Sequence, residues 1–213
     1  MDNFVRDITT NLYGNPHSES SSSRLSTIKI EEVRLRALQF FNASPEDFDL
    51  VFVQNATAAI KLVSEVLSSH SEAQGGFWYG YHGDSHTSVV GIREIAKSGY
   101  ACFHDDEDVE RWIDRGVTPN SEGAPGLPPA RLFAYPGQSN MTGRRLPLSW
   151  PGRIRRSSLN SHGTTYTLLD AAALASTAEL DLSNPADAPD FVALSFYKIF
   201  GFPDLGALIV RRE

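Results

Sequence analysis

One lysine differs from the other three lysines of the chain in its sequence neighbours. Lys29, Lys61 and Lys97 lie in or at the end of helical segments, where exposed lysines are normal. Lys198 is instead flanked by apolar and aromatic residues. Burial lowers the pKa of an amine, and a neutral amine is a nucleophile that can form a Schiff base. The sequence therefore predicts a candidate catalytic amine at Lys198, and the open alternative is a lysine that reaches water along its methylene stem.

An aspartate directly follows an apolar run of strand length. Asp170 comes after residues 166–169 and is followed by three alanines. A carboxylate at the end of a buried strand must face a cation or a cluster of hydrogen-bond donors, because an unpaired buried charge is costly. A pyridinium nitrogen would be such a cation. The alternative is that Asp170 caps the N-terminus of a short helix, a position that aspartate favours.

Residues 55–57 lie where a predicted strand passes into a predicted helix. Free backbone N–H groups and the helix dipole favour an anion such as phosphate at that position, and the Thr57 hydroxyl could add one hydrogen bond. Asparagine and threonine also occur there as plain helix caps, so this alternative stays open. The chain contains neither G-x-x-x-x-G-K-[ST] nor G-x-G-x-x-G, so a nucleotide phosphate loop is not predicted.

Two histidines and an aspartate alternate in the segment His82-Gly83-Asp84-Ser85-His86. On a strand these three side chains would share one face, which could hold a metal ion. The intervening glycine and serine favour a loop, so we predict no metal site and interpret the segment as the source of a stacking or acid–base histidine. No G-x-S-x-G motif occurs, and the one cysteine, Cys102, lies in a predicted strand, where a core position is expected.

The elements that must position these residues alternate between helix and strand. Apolar runs predict strands at 50–53, 77–81, 100–103, 131–135, 166–169, 191–194 and 206–210. Helical spacing predicts helices at 1–13, 27–42 (with Thr27 as N-cap), 60–67, 87–97 and 106–114, with loops at 18–23 and 115–129. This order predicts an α/β fold of three layers, α/β/α, around a mostly parallel sheet. Ligands of such sheets bind at the carboxyl ends of the strands.

Composition narrows the classes of function that the chain could have. It has 213 residues with 19 basic and 26 acidic side chains, so its net charge is −7, which argues against nucleic-acid binding. The length fits one domain. A single cysteine fits a reducing compartment, and the chain shows neither a secretory signal nor an apolar run long enough for a membrane span. We therefore expect a cytoplasmic protein that acts on a small molecule or binds a protein partner.

Several short segments together resemble class V aminotransferase-like, pyridoxal-phosphate enzymes of fold type I. The likeness is strongest to the N-terminal cysteine desulfurase region of eukaryotic molybdenum cofactor sulfurases. The segments that carry it are Tyr13 to Ser18, Ala56 to Ala59, Asp84 to Gly91, Gln138 to Asn140, Leu168 to Ala172 and Ser195 to Pro203. The resemblance implies the large domain of a fold type I enzyme, pyridoxal 5'-phosphate as cofactor, L-cysteine as substrate and a homodimer.

The resemblance also implies a role for individual residues. Lys198 matches the lysine that holds the cofactor and then moves the Cα proton, and Asp170 matches the acid that keeps the pyridine nitrogen protonated. His86 matches the histidine that stacks on the ring, and Asn140 looks like the polar residue near the ring hydroxyl or the substrate. Three residues match those that bind the cofactor's phosphate in the family: Ala56, Thr57 and Ser195.

Three departures from the family pattern qualify the resemblance. Tyr197 stands where bacterial desulfurases have a histidine, and Ala173 stands where they have a glutamine. Cys102 does not match the cysteine that carries the persulfide. We expect residues 1–213 to be one partial large domain, with the family's small domain and C-terminal sulfur-acceptor domain absent. The alternatives are a non-catalytic fragment or partner-binding remnant, or a sibling lyase such as a selenocysteine lyase or a kynureninase-like hydrolase.

Overall fold

The computed structural model of the protein describes residues 2–119, 130–157, 159 and 163–212. The strands are β1 (Phe48–Val53), β2 (Trp78–His82), β3 (Tyr100–Phe103), β4 (Ala130–Pro136), β5 (Thr164–Asp170), β6 (Phe191–Ser195) and β7 (Gly206–Arg211). The helices are α1 (Asp2–Thr10), α2 (Ser21–Phe40), α3 (Ala56–Ser71), α4 (Thr87–Val90), α5 (Asp106–Arg115), α6 (Trp150–Arg156) and α7 (Phe196–Phe200). Short 3₁₀ helices cover Glu72–Gln74, Gly91–Glu94 and Leu174–Ser176.

The seven strands form one sheet in the order β1-β7-β6-β5-β4-β2-β3. Strands β2 to β6 pair in parallel, whereas β7 runs antiparallel to both of its neighbours, β6 and β1. Since β1 is antiparallel to an antiparallel strand, it points the same way as β2 to β6. The mostly parallel sheet is therefore confirmed, and the carboxyl ends of six strands lie along one edge.

Helices cover both faces of the sheet and give the predicted three layers. On one face, α5 and α6 bury Trp112 and Trp150 against β4, together with the C-terminal part of α2. On the other face, α3 buries Ile60 and Val63, and α4 adds Val89. Every residue of β4 is buried, as expected for a central parallel strand with helices on both sides. The α/β/α fold class is confirmed.

The first long helix begins earlier than its apolar pattern predicts. Ser20 is the N-cap of α2, and its hydroxyl accepts a hydrogen bond from the Ser23 backbone N–H at 3.3 Å. The predicted loop at 18–23 is found only at 18–20, and the prediction of Thr27 as N-cap was wrong, because a run of serines can supply both a cap and a first helical turn. The Thr27 hydroxyl instead donates to the Ser23 carbonyl one turn earlier, at 3.2 Å.

Other differences concern helix ends and exposed apolar residues. The helix predicted at 87–97 is α-helical only in α4 and continues as the 3₁₀ turn Gly91–Glu94. In α2, Ile30 and Val33 are exposed, so only the C-terminal end of its apolar stripe reaches the core. Of the predicted loop 115–129, residues 120–129 lie outside the described residues. None of the helices in the described part of the chain combines the length and apolar character that crossing a bilayer requires.

Gly206 begins β7 at a point where three backbone segments meet. It pairs with Val53 of β1 on one side and with Ser195 of β6 on the other. A Cβ atom at this position would lie 2.7 Å from the Asn55 Cα and 2.7 Å from the Leu194 carbonyl oxygen. Both contacts are with backbone, which cannot move aside as a flexible side chain can. The glycine therefore allows the segment before α3 to lie directly over the ends of β6 and β7.

Replacing Gly206 with alanine should destabilise the protein. The added methyl group would force apart backbone segments, and overpacking of this kind costs roughly 1–3 kcal/mol. Urea denaturation of the variant should show a lower midpoint. Gly91→Ala is the matched control, because a Cβ there meets open space and the backbone is already helical, so its stability should be equal or slightly higher. A Gly206→Ala protein as stable as the wild type would contradict the close approach.

Candidate active site at the carboxyl edge of the sheet

A cavity of about 190 Å³ lies at the edge where the parallel strands end. Its walls come from the segments that follow β1, β2, β4, β5 and β6. All seven residues that the sequence singled out line it: Ala56, Thr57, His86, Asn140, Asp170, Ser195 and Lys198. Six further residues complete the wall: Asn55, Ser88, Pro136, Gln138, Ala172 and Ala173. The topology thus brings residues up to 143 positions apart (198 − 55) to one site.

Lys198 lies in α7, a short helix whose two ends are fixed. The Ser195 hydroxyl at the end of β6 accepts a hydrogen bond from the Lys198 backbone N–H at 3.4 Å, and Gly201 ends the helix with φ = 80°. The side chain of Lys198 is exposed at the cavity and forms no ion pair with any described carboxylate. Of the two readings that the sequence left open, the structure shows the exposed amine, because one turn of helix directs Phe196 to the core and Lys198 outward. The amine is accessible to a ligand.

Asp170 is the buried charge of the cavity. It ends β5 with 8% of its surface exposed, and its Oδ1 accepts a hydrogen bond from the Ala172 N–H at 3.0 Å. Burial raises the pKa of Asp170, and the Ala172 N–H and the nearby Lys198 and His86 oppose this effect. The Ala172 bond is a local turn contact, since the next 3₁₀ helix begins only at Leu174. Among the described residues, nothing donates to Oδ2, so this oxygen can receive a donor from a ligand.

The N-terminus of α3 faces the same cavity from the β1 side. Asn55 is the N-cap, and its side-chain oxygen accepts a hydrogen bond from the Ala58 N–H at 2.9 Å. The N–H groups of Ala56 and Thr57 precede the first intrahelical bonds and have no acceptor among the described residues. Three features there suit an anion: two free N–H groups, the positive end of a helix of 16 residues and the Thr57 hydroxyl.

The structure separates the two histidines of the alternating segment. His82 is fully buried, and its Nδ1 accepts a hydrogen bond from the Asp84 N–H at 3.1 Å. His86 is exposed at the cavity and caps α4, where its Nδ1 accepts from the Ser88 N–H at 3.2 Å. Because an N–H can only donate, the His86 proton resides on Nε2, which is free to donate. Within the described residues no cluster of His, Cys, Asp or Glu is arranged as a metal site.

Asn140 sits at the tip of a tight turn that Ser139 organises. The buried Ser139 hydroxyl accepts hydrogen bonds from the Met141 and Thr142 N–H groups, each at 3.3 Å. Gln138, which the sequence interpretation did not select, also lines the cavity. Its Oε1 accepts from Thr177 Oγ1 at 2.9 Å, so its amide orientation is fixed. The signal for Gln138 was its place three residues after the predicted strand 131–135 and two residues before the selected Asn140.

Cys102 lies away from the cavity. It is half-buried in β3, the last strand of the sheet order, rather than in the core as predicted. Desolvation is the largest influence on its thiol and raises its pKa, which keeps it protonated and poorly nucleophilic. An edge strand exposes one side to water, which explains why a strand position did not imply full burial.

Comparison with known proteins identifies the family. The family model described as aminotransferase class V matches residues 4–213. The chain belongs to the class V aminotransferase family. Class V aminotransferases and cysteine desulfurases depend on pyridoxal phosphate. The resemblance stated from the sequence segments is therefore confirmed.

Curated relatives carry a more specific name. The chain is 61% identical over 212 residues to the molybdenum cofactor sulfurase of Aspergillus clavatus, covering 99% of this chain and 24% of that protein. It is 61% identical over 213 residues to the molybdenum cofactor sulfurase of Aspergillus oryzae, covering 100% of this chain and 25% of that protein. The chain spans about a quarter of the length of the curated relatives it matches.

Solved structures of low sequence identity share the fold. A NifS-like protein from Rickettsia africae superposes with a TM-score of 0.77 at 16% identity, covering 99% of this chain and 54% of that one. The cysteine desulfurase CsdA from Escherichia coli gives 0.67 at 20% identity, covering 98% and 50%. SspA in complex with cysteine gives 0.70 at 17% identity, covering 92% and 53%. The fold is that of about half of a fold type I pyridoxal-phosphate enzyme.

The donor set of the cavity fits pyridoxal phosphate. The free N–H groups of α3 suit its phosphate, the unpartnered oxygen of Asp170 suits a protonated ring nitrogen, and the amine of Lys198 suits its aldehyde. These three groups lie on one cavity, at the ends of three different strands. Each of these three protein groups lacks a partner among the described residues, and pyridoxal phosphate carries a chemical group that would supply one.

Replacing Asp170 with asparagine should stabilise the ligand-free protein at neutral pH. Asparagine keeps an oxygen for the Ala172 N–H and removes the buried charge. Because burial raises the folded-state pKa of Asp170 above its unfolded value, the ionised carboxylate weakens the fold at neutral pH. The gain should shrink as pH falls through the folded pKa, where the wild-type carboxyl is protonated in the native state. Urea denaturation across a pH series measures both effects.

Asp204→Asn is the matched control for this prediction. Asp204 is exposed and has φ = 54°, a conformation that asparagine also tolerates. Its replacement removes no buried charge, so its stability relative to the wild type should not show the same pH-dependent gain. An Asp170→Asn protein that is less stable than the wild type at neutral pH would show that the Asp170 charge is well compensated without ligand.

Proposed function

We propose that this chain is the pyridoxal-phosphate-binding part of a molybdenum cofactor sulfurase and performs the cysteine desulfurase-type chemistry of that enzyme. The observation that carries the proposal is the shared cavity of Lys198, Asp170 and the N-terminus of α3. The 61% identity to sulfurases of two Aspergillus species supports the specific assignment. Residues 1–213 would then form part of a single large domain.

The phosphate would bind at the β1 side of the cavity. The N–H groups of Ala56 and Thr57 donate to it, and the Thr57 hydroxyl adds a further donor. Ser195 lies at the end of β6, on the far side of β7 from β1. Its hydroxyl oxygen accepts from the Lys198 N–H, and its hydrogen has no acceptor among the described residues, so it can donate to a ligand. These donors would fix one end of the ligand and so orient the rest toward Asp170.

The ring would be held by residues at the ends of β2, β4 and β5. Asp170 would keep a proton at the pyridine nitrogen, and such an ion pair would offset the cost of burying its carboxylate. His86 would stack on the ring, and Asn140 would offer an amide to the ring hydroxyl or the substrate. When bound, the coenzyme supplies an electron sink for a carbon attached to the amino acid. Asp170 sustains that property by keeping the ring positively charged.

Lys198 would both anchor the coenzyme and move a proton. Its exposed amine would hold the coenzyme through the aldehyde, and as a free amine it would take a proton from the substrate Cα. The short helix α7 limits how far the side chain travels, because Ser195 and Gly201 fix its ends. The amine is thus held at the cavity through both tasks.

L-cysteine is the substrate that we propose. Two observations support it: the cysteine desulfurase fold neighbour from Escherichia coli, and SspA, whose structure was solved in complex with cysteine. The one cysteine of this chain, Cys102, does not line the cavity. The thiol that accepts sulfur would therefore come from outside these 213 residues. We further propose a homodimer in the cytoplasm.

Pyridoxal phosphate added to the purified protein and fixed with borohydride should label Lys198. A covalent bond between amine and aldehyde is reducible, so mass spectrometry of the digest should find the pyridoxyl group on the peptide that contains position 198. Lys198→Ala should abolish the labelling. Lys61→Ala is the control, since Lys61 is an exposed helix lysine paired with Glu65, and it should label as the wild type does.

The same experiment separates the alternatives. No adduct on any lysine would favour a non-catalytic remnant, and an adduct spread over all four lysines would show chemical modification without a site. If Lys198 is labelled, turnover of cysteine, selenocysteine and kynurenine distinguishes a desulfurase from a sibling lyase or hydrolase. If Lys198 is labelled but the protein does not consume L-cysteine, the proposed substrate is contradicted.

A further inference from the structure

Arg144 lies outside the cavity and connects two of the segments that form its wall. Its Nε donates to Asp84 Oδ2 at 3.2 Å, and its Nη1 donates to Asp106 Oδ2 at 2.9 Å. Asp84 belongs to the segment 83–86, which we call the His86 loop. Arg144 belongs to the segment 137–145, which we call the Asn140 loop. One guanidinium therefore joins the two loops to each other and to the start of α5.

Buried His82 sits beneath this contact and fixes its geometry. Its Nδ1 accepts from the Asp84 N–H, so its Nε2 carries the proton, and Nε2 faces Asp106 Oδ1 at 3.3 Å. The Arg144 Nη2 lies 3.5 Å from the same Nε2. Both nitrogens carry hydrogen, so they do not bond to each other; the Asp106 carboxylate lies beside them, with Oδ2 bonded to Arg144 Nη1 and Oδ1 near His82 Nε2. The His82 ring also stacks on Trp150, with centroids 6.0 Å apart.

The backbone of Arg144 closes the turn that presents Asn140. The Ser139 N–H donates to the Arg144 carbonyl oxygen at 2.8 Å, and the Gly143 N–H donates to the Ser139 carbonyl oxygen at 2.9 Å. The backbone of Arg144 thus stabilises the Asn140 loop, and its side chain connects the same loop to Asp84. A shift of the guanidinium would be transmitted to the turn, and a shift of Asp84 would be transmitted to His86, two residues later.

We propose that Arg144 is a positioning residue that sets the distance between Asn140 and His86 across the cavity. The proposal rests on the proposed function, because Asn140 and His86 are there assigned to the coenzyme and its substrate. Arg144 itself does not line the cavity, so it acts through the two loops. Its side chain is 42% exposed, and ion pairs at that exposure add little stability. Arg144 therefore contributes mainly to geometry, because its rigid planar guanidinium donates hydrogen bonds to carboxylates from two separate elements.

The test compares Arg144→Met with the wild type in two measurements. Equilibrium dialysis should show pyridoxal-phosphate affinity reduced on the order of tenfold, as expected for loss of a supporting contact behind a ligand site. At saturating coenzyme, the induced circular dichroism of the bound ring should also change, because the groups on either side of it have moved. Arg144→Lys should restore part of the affinity, since it keeps the charge but not the two-pronged geometry.

Hydrogen exchange provides a measurement that does not depend on the coenzyme. In the ligand-free Arg144→Met protein, amides of the His86 loop and the Asn140 loop should exchange faster together, including those of Ser139 and Gly143. Asp84→Asn removes the charge of one of the two carboxylates that Arg144 contacts and should give a smaller change in the same amides. It replaces the first variant should that one fail to fold. Arg111→Met is the control, because the ion pair of Arg111 with Asp108 on α5 involves no residue of either loop.

The outcomes separate this inference from the proposed function. A wild type that binds no coenzyme overturns the proposed function, and the exchange measurement still decides the role of Arg144 in joining the loops. If Arg144→Met and Asp84→Asn bind the coenzyme with wild-type affinity and leave exchange of both loops unchanged, Arg144 is not a positioning residue. Equal losses in Arg111→Met would also overturn the inference, because the effect would then follow from any lost surface arginine.

Discussion

A single buried carboxylate at the end of a parallel strand is the constraint around which the site is arranged. Asp170 receives one hydrogen bond from its own turn, and burial raises its pKa. The Ala172 N–H and the nearby Lys198 and His86 offset only part of this effect. The side chain is held in this buried position, because Asp170 is paired in the sheet with Pro136 on one side and with Ala193 on the other. The fold therefore holds a charge that only a ligand can neutralise fully.

The sheet explains why the sequence could locate the site. Apolar runs predicted all seven strands within two residues, and six of these strands end at one edge. Residues that follow strands therefore come together, as happens for Asp170, Ser195 and Asn140. The exception, β7, contributes no side chain to the cavity wall, but its first residue, Gly206, lets the start of α3 lie close to the strand ends.

Features that depend on three-dimensional packing could not be predicted from local pattern. The neighbours of Lys198 are apolar, yet one helical turn directs them to opposite sides and leaves the amine exposed. The alternation of His82 and His86 allowed either a shared strand face or a loop, and the loop that the sequence favoured is found, because the strand ends at His82 and the chain then turns. Gln138 was overlooked because its fixed amide depends on Thr177, 39 residues away. The roles assigned to individual site residues stay predictions.

The two ends of the cavity favour ligand groups of opposite charge, and this restricts which ligands can bind. The N-terminus of α3 offers unpaired N–H donors and the positive end of a dipole, which favour an anion. Asp170 offers an unpartnered carboxylate oxygen, which favours a cation or an N–H donor. Phosphate alone would satisfy only the first group, and a simple amine only the second. A ligand with an anionic group at one end and a protonated ring nitrogen at the other satisfies both at once, while leaving the amine of Lys198 free to react with a carbonyl group between them.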